Sequence, residues 1–231
     1  MKNLITWVQQ KKNNNQMITL KSLSDSLVNK TETNKLSFVS LAKTQMFEPK
    51  ICYKTYLNFS LQKRKRLLDI IRSDDSWTRK NDGIHYTNLY AHHTEWFLHE
   101  EYEEFKELTN MIEIYLANSI LQVPFKYETK ECWGGIYSKD DYAKKHHHSP
   151  YLWAWTYYPF APEGSAPLRF HDPIVNTLKD IDDSFVYEVQ PKDDLLVLFS
   201  GNRYHSVPKS KTNSERVVVA GNIYLSGDTK Y

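Results

Sequence analysis

Apolar positions fall into two regimes along the chain. In residues 100–121, EEYEEFKELTNMIEIYLANSIL, the side chains Tyr102, Phe105, Leu108, Ile112 and Leu116 recur at intervals of three and four. That spacing predicts a helix with one buried stripe, and the glutamates of its first turn complement the helix dipole. A shorter run, LQKRKRLLDIIR at 61–72, places Leu61, Leu67, Leu68 and Ile71 near helical spacing. Residues 1–45 are rich in Asn, Lys, Ser and Thr and only weakly patterned, with helical fragments such as ITLKSLSDSLVNK. After Val123-Pro124 the pattern changes to short β-like runs: ECWGGIY, YLWAWTYYPF, APLRF, SFVYEVQ, DLLVLFS and RVVVAGNIYL. Pro159, Pro162, Gly164, Pro173, Pro191, Gly201 and Pro208 punctuate them, which predicts a sandwich or barrel of short strands. The expected organisation is a polar N-terminal extension over 1–45 and one domain over 46–231. Within that domain, 46–124 form helical support and 125–231 a β core.

Charge and composition narrow this picture. Residues 1–66 hold 13 Lys/Arg against 3 Asp/Glu, while the remainder holds 17 against 25. A basic segment of this kind can meet phosphates, but no aromatic-interleaved binding motif accompanies it, so nucleic-acid contact is disfavoured and docking on the acidic remainder or simple solvation preferred. The two cysteines, Cys52 and Cys132, supply neither a disulfide framework nor a zinc-ribbon set and are expected to be reduced and structural. No apolar run approaches the ~18 residues that span a bilayer, and the opening stretch shows no cleavage-site pattern. The expectation is a cytoplasmic protein without a membrane partner. Oligomeric state is open.

Candidate chemistry lies in the β half. Side chains i and i+2 of a strand share a face, so an extended His146-His147-His148 run would present His146 and His148 together and His147 opposite. Paired imidazoles suit divalent metals, although clustered histidines are more often surface groups. His205, just after the apolar run DLLVLFS, could supply a third nitrogen. Arg216 opens the run RVVVAGNIYL, where burial of a guanidinium is costly without an anion; it could equally sit outside the strand in solvent. By alternation Arg216, Val218, Ala220 and Asn222 share one face. Likewise Trp153, Trp155 and Tyr157 would pack under the helices, leaving Ala154, Thr156 and Tyr158 as a cavity wall. The histidines at 85, 92, 93, 99 and 171 show no ligand spacing and are read as surface or core.

The order H-x-H, Tyr-Tyr, LRFHDP, V-x-P-x-x-D-x-L-V-L-F, H-x-V-P, then Arg and an Asn-bearing strand resembles the 2-oxoglutarate/Fe(II)-dependent oxygenase superfamily. It is most similar to the branch in bacteria and their viruses whose first metal motif is H-x-H, over about residues 85–225. The resemblance implies an α+β fold, with N-terminal helices packed on a double-stranded β-helix of jelly-roll or cupin type. It implies Fe(II) ligands at His146, His148 and His205, and cofactors Fe(II), 2-oxoglutarate and O2. It places the arginine that clamps the distal carboxylate of 2-oxoglutarate at Arg216, with Tyr158 and Asn222 in the same pocket. The superfamily's third ligand is a carboxylate. His148 stands in its slot here, and Asp172 or Asp141 are the alternative sources of that charge. The implied activity is hydroxylation of an unidentified substrate, with oxidative decarboxylation of 2-oxoglutarate to succinate. Two rivals stand beside it: a three-histidine cupin-type metalloenzyme that does not use 2-oxoglutarate, and an inactive jelly-roll binding module.

Overall fold

The computed structural model describes residues 51–73, 88–121, 126–171 and 185–226, all within the compact unit Lys50–Tyr231. The expected N-terminal extension and its basic character, the loop after His171 with Asp172, and His85 lie outside the described residues.

A four-residue strand, β1 (Tyr53–Tyr56), leads into α1 (Leu61–Ser73), which buries Leu67, Ile70 and Ile71. Two short strands follow, β2 (Leu89–Tyr90) and β3 (His92–His93). The helix expected over 100–121 is broken. A short α2 (Leu98–Glu101) ends at an extended Tyr102, α3 (Glu103–Tyr115) restarts there, and a π-helical turn (Leu116–Leu121) closes it. The reason is local: the Tyr102 N–H still donates to Leu98, while its carbonyl accepts from Phe105 and Lys106 and so starts a new helix. The buried stripe of α3 is nevertheless the expected one, with Phe105, Leu108 and Ile112 inside.

Strands β4 (Tyr127–Tyr137), β5 (Tyr142–His146), β6 (Trp153–Phe160), β7 (Leu168–Phe170), β8 (Tyr187–Val189), β9 (Leu195–Ser200), β10 (His205–Val207) and β11 (Arg216–Leu225) complete the fold. They form two antiparallel sheets. The six-stranded sheet runs β1-β9-β6-β11-β4-β3, and the five-stranded sheet runs β2-β5-β10-β7-β8. This is the double-stranded β-helix arrangement expected from the sequence, an α+β fold with helices on one side.

The larger sheet is buried on both faces. On its outer face Trp155, Tyr157, Leu196, Leu198, Val217 and Val219 form one core with Leu67, Ile71, Phe105, Leu108 and Ile112. Its inner face sends Ala154, Tyr158, Val197, Phe199 and Val218 into a second core, shared with Ala143, Leu168, Phe170, Val189 and Val207 of the smaller sheet. The alternation read from Trp153 to Tyr158 is therefore the one present: odd positions under the helices, even positions toward the interior. Gly134 marks a close approach of helix to sheet, because a Cβ there would collide with the Ile71 side chain. Among the described residues no helix is long and apolar enough to cross a membrane.

Candidate metal and cosubstrate site

Strand pairing builds the histidine cluster. β5 and β10 are antiparallel neighbours with His146 opposite His205. His148 lies just past the end of β5, where its N–H donates to the Gly201 carbonyl at 2.7 Å and turns the chain back. Gly201 cannot be larger, since a Cβ would run into the Tyr151 carbonyl. Ring centroids are 4.3 Å apart for His146 and His205, 5.1 Å for His146 and His148, and 4.9 Å for His148 and His205. One ligand nitrogen from each ring falls within 4.8 Å of the other two, and no other such group of His, Cys, Asp or Glu occurs among the described residues.

Hydrogen bonds fix the tautomers. His146 Nδ1 sits 2.6 Å from the Lys144 carbonyl and His205 Nδ1 2.9 Å from the Arg203 carbonyl. A carbonyl only accepts, so each Nδ1 carries the proton and each Nε2 turns a lone pair inward. His148 Nε2 lies 3.2 Å from His205 Nε2. Two nitrogens bound to one cation at about 2.1 Å, at angles of ~90–109°, stand roughly 3.0–3.4 Å apart, so the spacing fits a shared metal. Burial lowers the pKa of all three imidazoles, His148 to about 3 and His205 well below its ordinary value. Neutral imidazole is the form that ligates. His147 points elsewhere: exposed, it packs edge-on against Tyr204 at 4.8 Å and accepts the Ser149 N–H.

Of the alternative carboxylates, Asp141 is engaged in its own turn, accepting the Ser138 N–H at 2.8 Å, and is not part of the cluster. Asp172 is outside the described residues.

The same cavity holds Arg216. It is lined by His146, His148 and His205, by Tyr137, Thr156, Tyr158 and Phe199, and by Arg216, Val218 and Ala220 of β11. Arg216 is 3% exposed, which removes the solvated alternative. Its Nη1 donates to the Ala166 carbonyl at 2.6 Å, and its guanidinium lies 4.1 Å over the Tyr137 ring and 5.8 Å from the Tyr158 ring. Its Nε has no hydrogen-bond partner, and no carboxylate among the described residues pairs with it. A buried guanidinium so placed needs an anion. Tyr158 is 1% exposed, and burial raises its phenol pKa; burial also pushes Tyr137 up to about 12, so both stay neutral donors.

Asn222 stands elsewhere than the sequence suggested. It shares the inward face of β11 with Arg216, but six residues of strand separate them, about 20 Å at the usual rise, too far for one small dicarboxylate. It lines a neighbouring groove with His146, His147, His148, Trp96, Phe97, Glu131, Trp133 and Tyr151, where its Nδ2 donates to Glu131 at 2.6 Å. Sequence reading missed Tyr137 and Glu131. Tyr137 ends the run ECWGGIY, and only the pairing of β4 with β11, which sets Tyr137 opposite Arg216, brings it to the site. His92 and His93 also line the cavity but do not join the ligand group, and His171 is a buried core group bonded to Ser206 at 2.8 Å.

Comparison with known proteins follows the same geometry. Residues 131–222 match a family model described as "Putative 2OG-Fe(II) oxygenase". Among curated proteins no sequence matches the chain. A viral collagen prolyl hydroxylase from Paramecium bursaria Chlorella virus-1, in complex with 2-oxoglutarate, superposes with a TM-score of 0.54 at 18% identity, over 77% of this chain and 98% of that one. HygX from Streptomyces hygroscopicus, with nickel and 2-oxoglutarate bound, gives 0.58 at 9% identity, over 82% and 88%. The epimerase SnoN from nogalamycin biosynthesis, a non-heme α-ketoglutarate-dependent enzyme, gives 0.55 at 12%, over 83% of each chain. At such identities the likeness is one of fold.

Proposed function

We propose, from the match of segment 131–222 to that family model, that the chain is a 2OG-Fe(II) oxygenase and that it acts as a hydroxylase on an as yet unidentified substrate. The observation that carries this reading is the pairing, in one cavity, of three convergent neutral imidazoles with a buried guanidinium that has no carboxylate partner among the described residues.

His146, His148 and His205 would hold Fe(II), with the Lys144 and Arg203 carbonyls fixing two of the rings. Arg216 would receive the distal carboxylate of 2-oxoglutarate, a match of fork to carboxylate that lysine could not reproduce. Tyr137 supports the guanidinium from beneath, and Tyr158 walls the cosubstrate pocket. Three neutral ligands leave the site one charge more positive than a two-histidine, one-carboxylate set, and the dianionic cosubstrate offsets that. Phe199, Val218 and Ala220 keep the cavity water-poor. When bound, iron and 2-oxoglutarate supply the oxidising chemistry, consuming O2 and releasing succinate and CO2 as substrate is oxidised.

Anaerobic calorimetry with metal-loaded protein tests the cosubstrate assignment. 2-Oxoglutarate should bind wild type and bind Arg216→Lys at least tenfold more weakly. Metal binding with no 2-oxoglutarate binding would favour the cupin-type alternative, and binding of neither would favour an inactive module. The neighbours include an epimerase, so product mass separates the outcomes: a hydroxylase adds one oxygen atom, whereas an unchanged mass contradicts hydroxylation.

A further inference from the structure

The groove that Asn222 shares with the metal-site histidines has a chemistry of its own. β4 and β11 set Glu131 opposite Asn222, and the Asn222 amide donates to the Glu131 carboxylate. Since a carboxylate takes only donors, Nδ2 must face it and Oδ1 must turn away. That Oδ1 is buried without a hydrogen-bond partner, and Asn222 itself is 3% exposed. Tyr151 lies beside Glu131, and burial, with the neighbouring carboxylate, pushes its phenol up to about 12. Glu131 thus has a neutral donor in Asn222, and no Lys or Arg among the described residues pairs with it. Around these acceptors stand aromatic walls: Trp96 and Trp133, edge to face at 4.6 Å, together with Phe97, which is 46% exposed. A carboxylate with no cationic partner among the described residues and indole faces together suit a ligand that is cationic.

We propose that this groove is the substrate's seat and that it selects a primary ammonium group, held by Glu131 against the Trp96–Trp133 wall. The assignment rests on the oxygenase reading, because His146 and His148 line the same groove and the held substrate would lie beside the metal. It names the substrate class as amine-bearing.

The test is binding of benzylamine and of its uncharged analogue benzyl alcohol to the full chain at neutral pH, followed by tryptophan fluorescence and calorimetry. Wild type should bind benzylamine at least tenfold more tightly than benzyl alcohol. Glu131→Gln, which keeps the shape and the amide contact, should erase that preference and leave benzyl alcohol unchanged. Glu131→Lys should weaken benzylamine further, and Tyr151→Phe, which keeps the carboxylate, should retain the preference. No measurable benzylamine binding, equal affinities in wild type, or a preference that survives Glu131→Gln would each overturn the proposal; the last is also what an amine bound only to the metal would give. None of these readouts needs 2-oxoglutarate, so a failure of the oxygenase reading appears separately, as absent cosubstrate binding.

Discussion

At the scale of single residues, the site is organised by what each polar group lacks. Arg216 has one carbonyl partner and two aromatic neighbours but no carboxylate partner among the described residues, and Asn222 has one satisfied and one orphaned amide atom. The histidines carry a pH signature. Their folded pKa values lie below the unfolded value of about 6.5, so the unfolded chain binds more protons between that value and about 3, where His148 titrates. Their contribution to stability is complete above ~6.5 and is lost as pH falls toward 3. The urea midpoint of metal-free protein should therefore drop between pH 7.5 and 5, and His148→Gln should flatten that dependence; a midpoint that rises on acidification would contradict the burial assigned here. At Arg216 the expected signature is in the cosubstrate: Arg216→Lys should raise the KM for 2-oxoglutarate at least tenfold with a smaller change in kcat.

At the scale of elements, glycines and short strands decide where the ligands stand. Gly201 lets the loop carrying His148 fold against β9, so Gly201→Ala should displace that loop and weaken metal binding by ~10–100-fold while the fold survives by circular dichroism. Gly134→Ala, under Ile71, should instead cost about 1–3 kcal/mol of stability with metal affinity intact, measured by denaturant unfolding. Sequence patterning showed the long elements well: the stripe of α3, the alternation of β6 and the run of β11 are visible as spacing. It did not show β1, β2 or β3, which are four, two and two residues long and carry too few positions for any period to emerge. The break at Tyr102 was equally hidden, because an apolar stripe continues across it.

At the scale of the molecule, the site is an inter-strand construction. His146 and His148 were legible as an H-x-H pair, and His205 and Arg216 as unusual groups at strand ends. Which of them converge depends on two registers, β5 with β10 and β4 with β11, that one sequence does not spell out. That is why Tyr137 and Glu131 escaped notice and why Asn222, on the same face as Arg216, lines the neighbouring groove. The three layers explain the division of labour: helices cover one face of the larger sheet, freeing the other to enclose the cavity with the smaller sheet. The most direct test of the whole account is succinate formation from 2-oxoglutarate with Fe(II), compared among wild type, His146→Ala, His147→Ala and Arg216→Ala. Wild type and His147→Ala should agree within about twofold, while His146→Ala and Arg216→Ala should fall by about a hundredfold or more. Equal loss in all three variants, or no succinate from wild type, would contradict it.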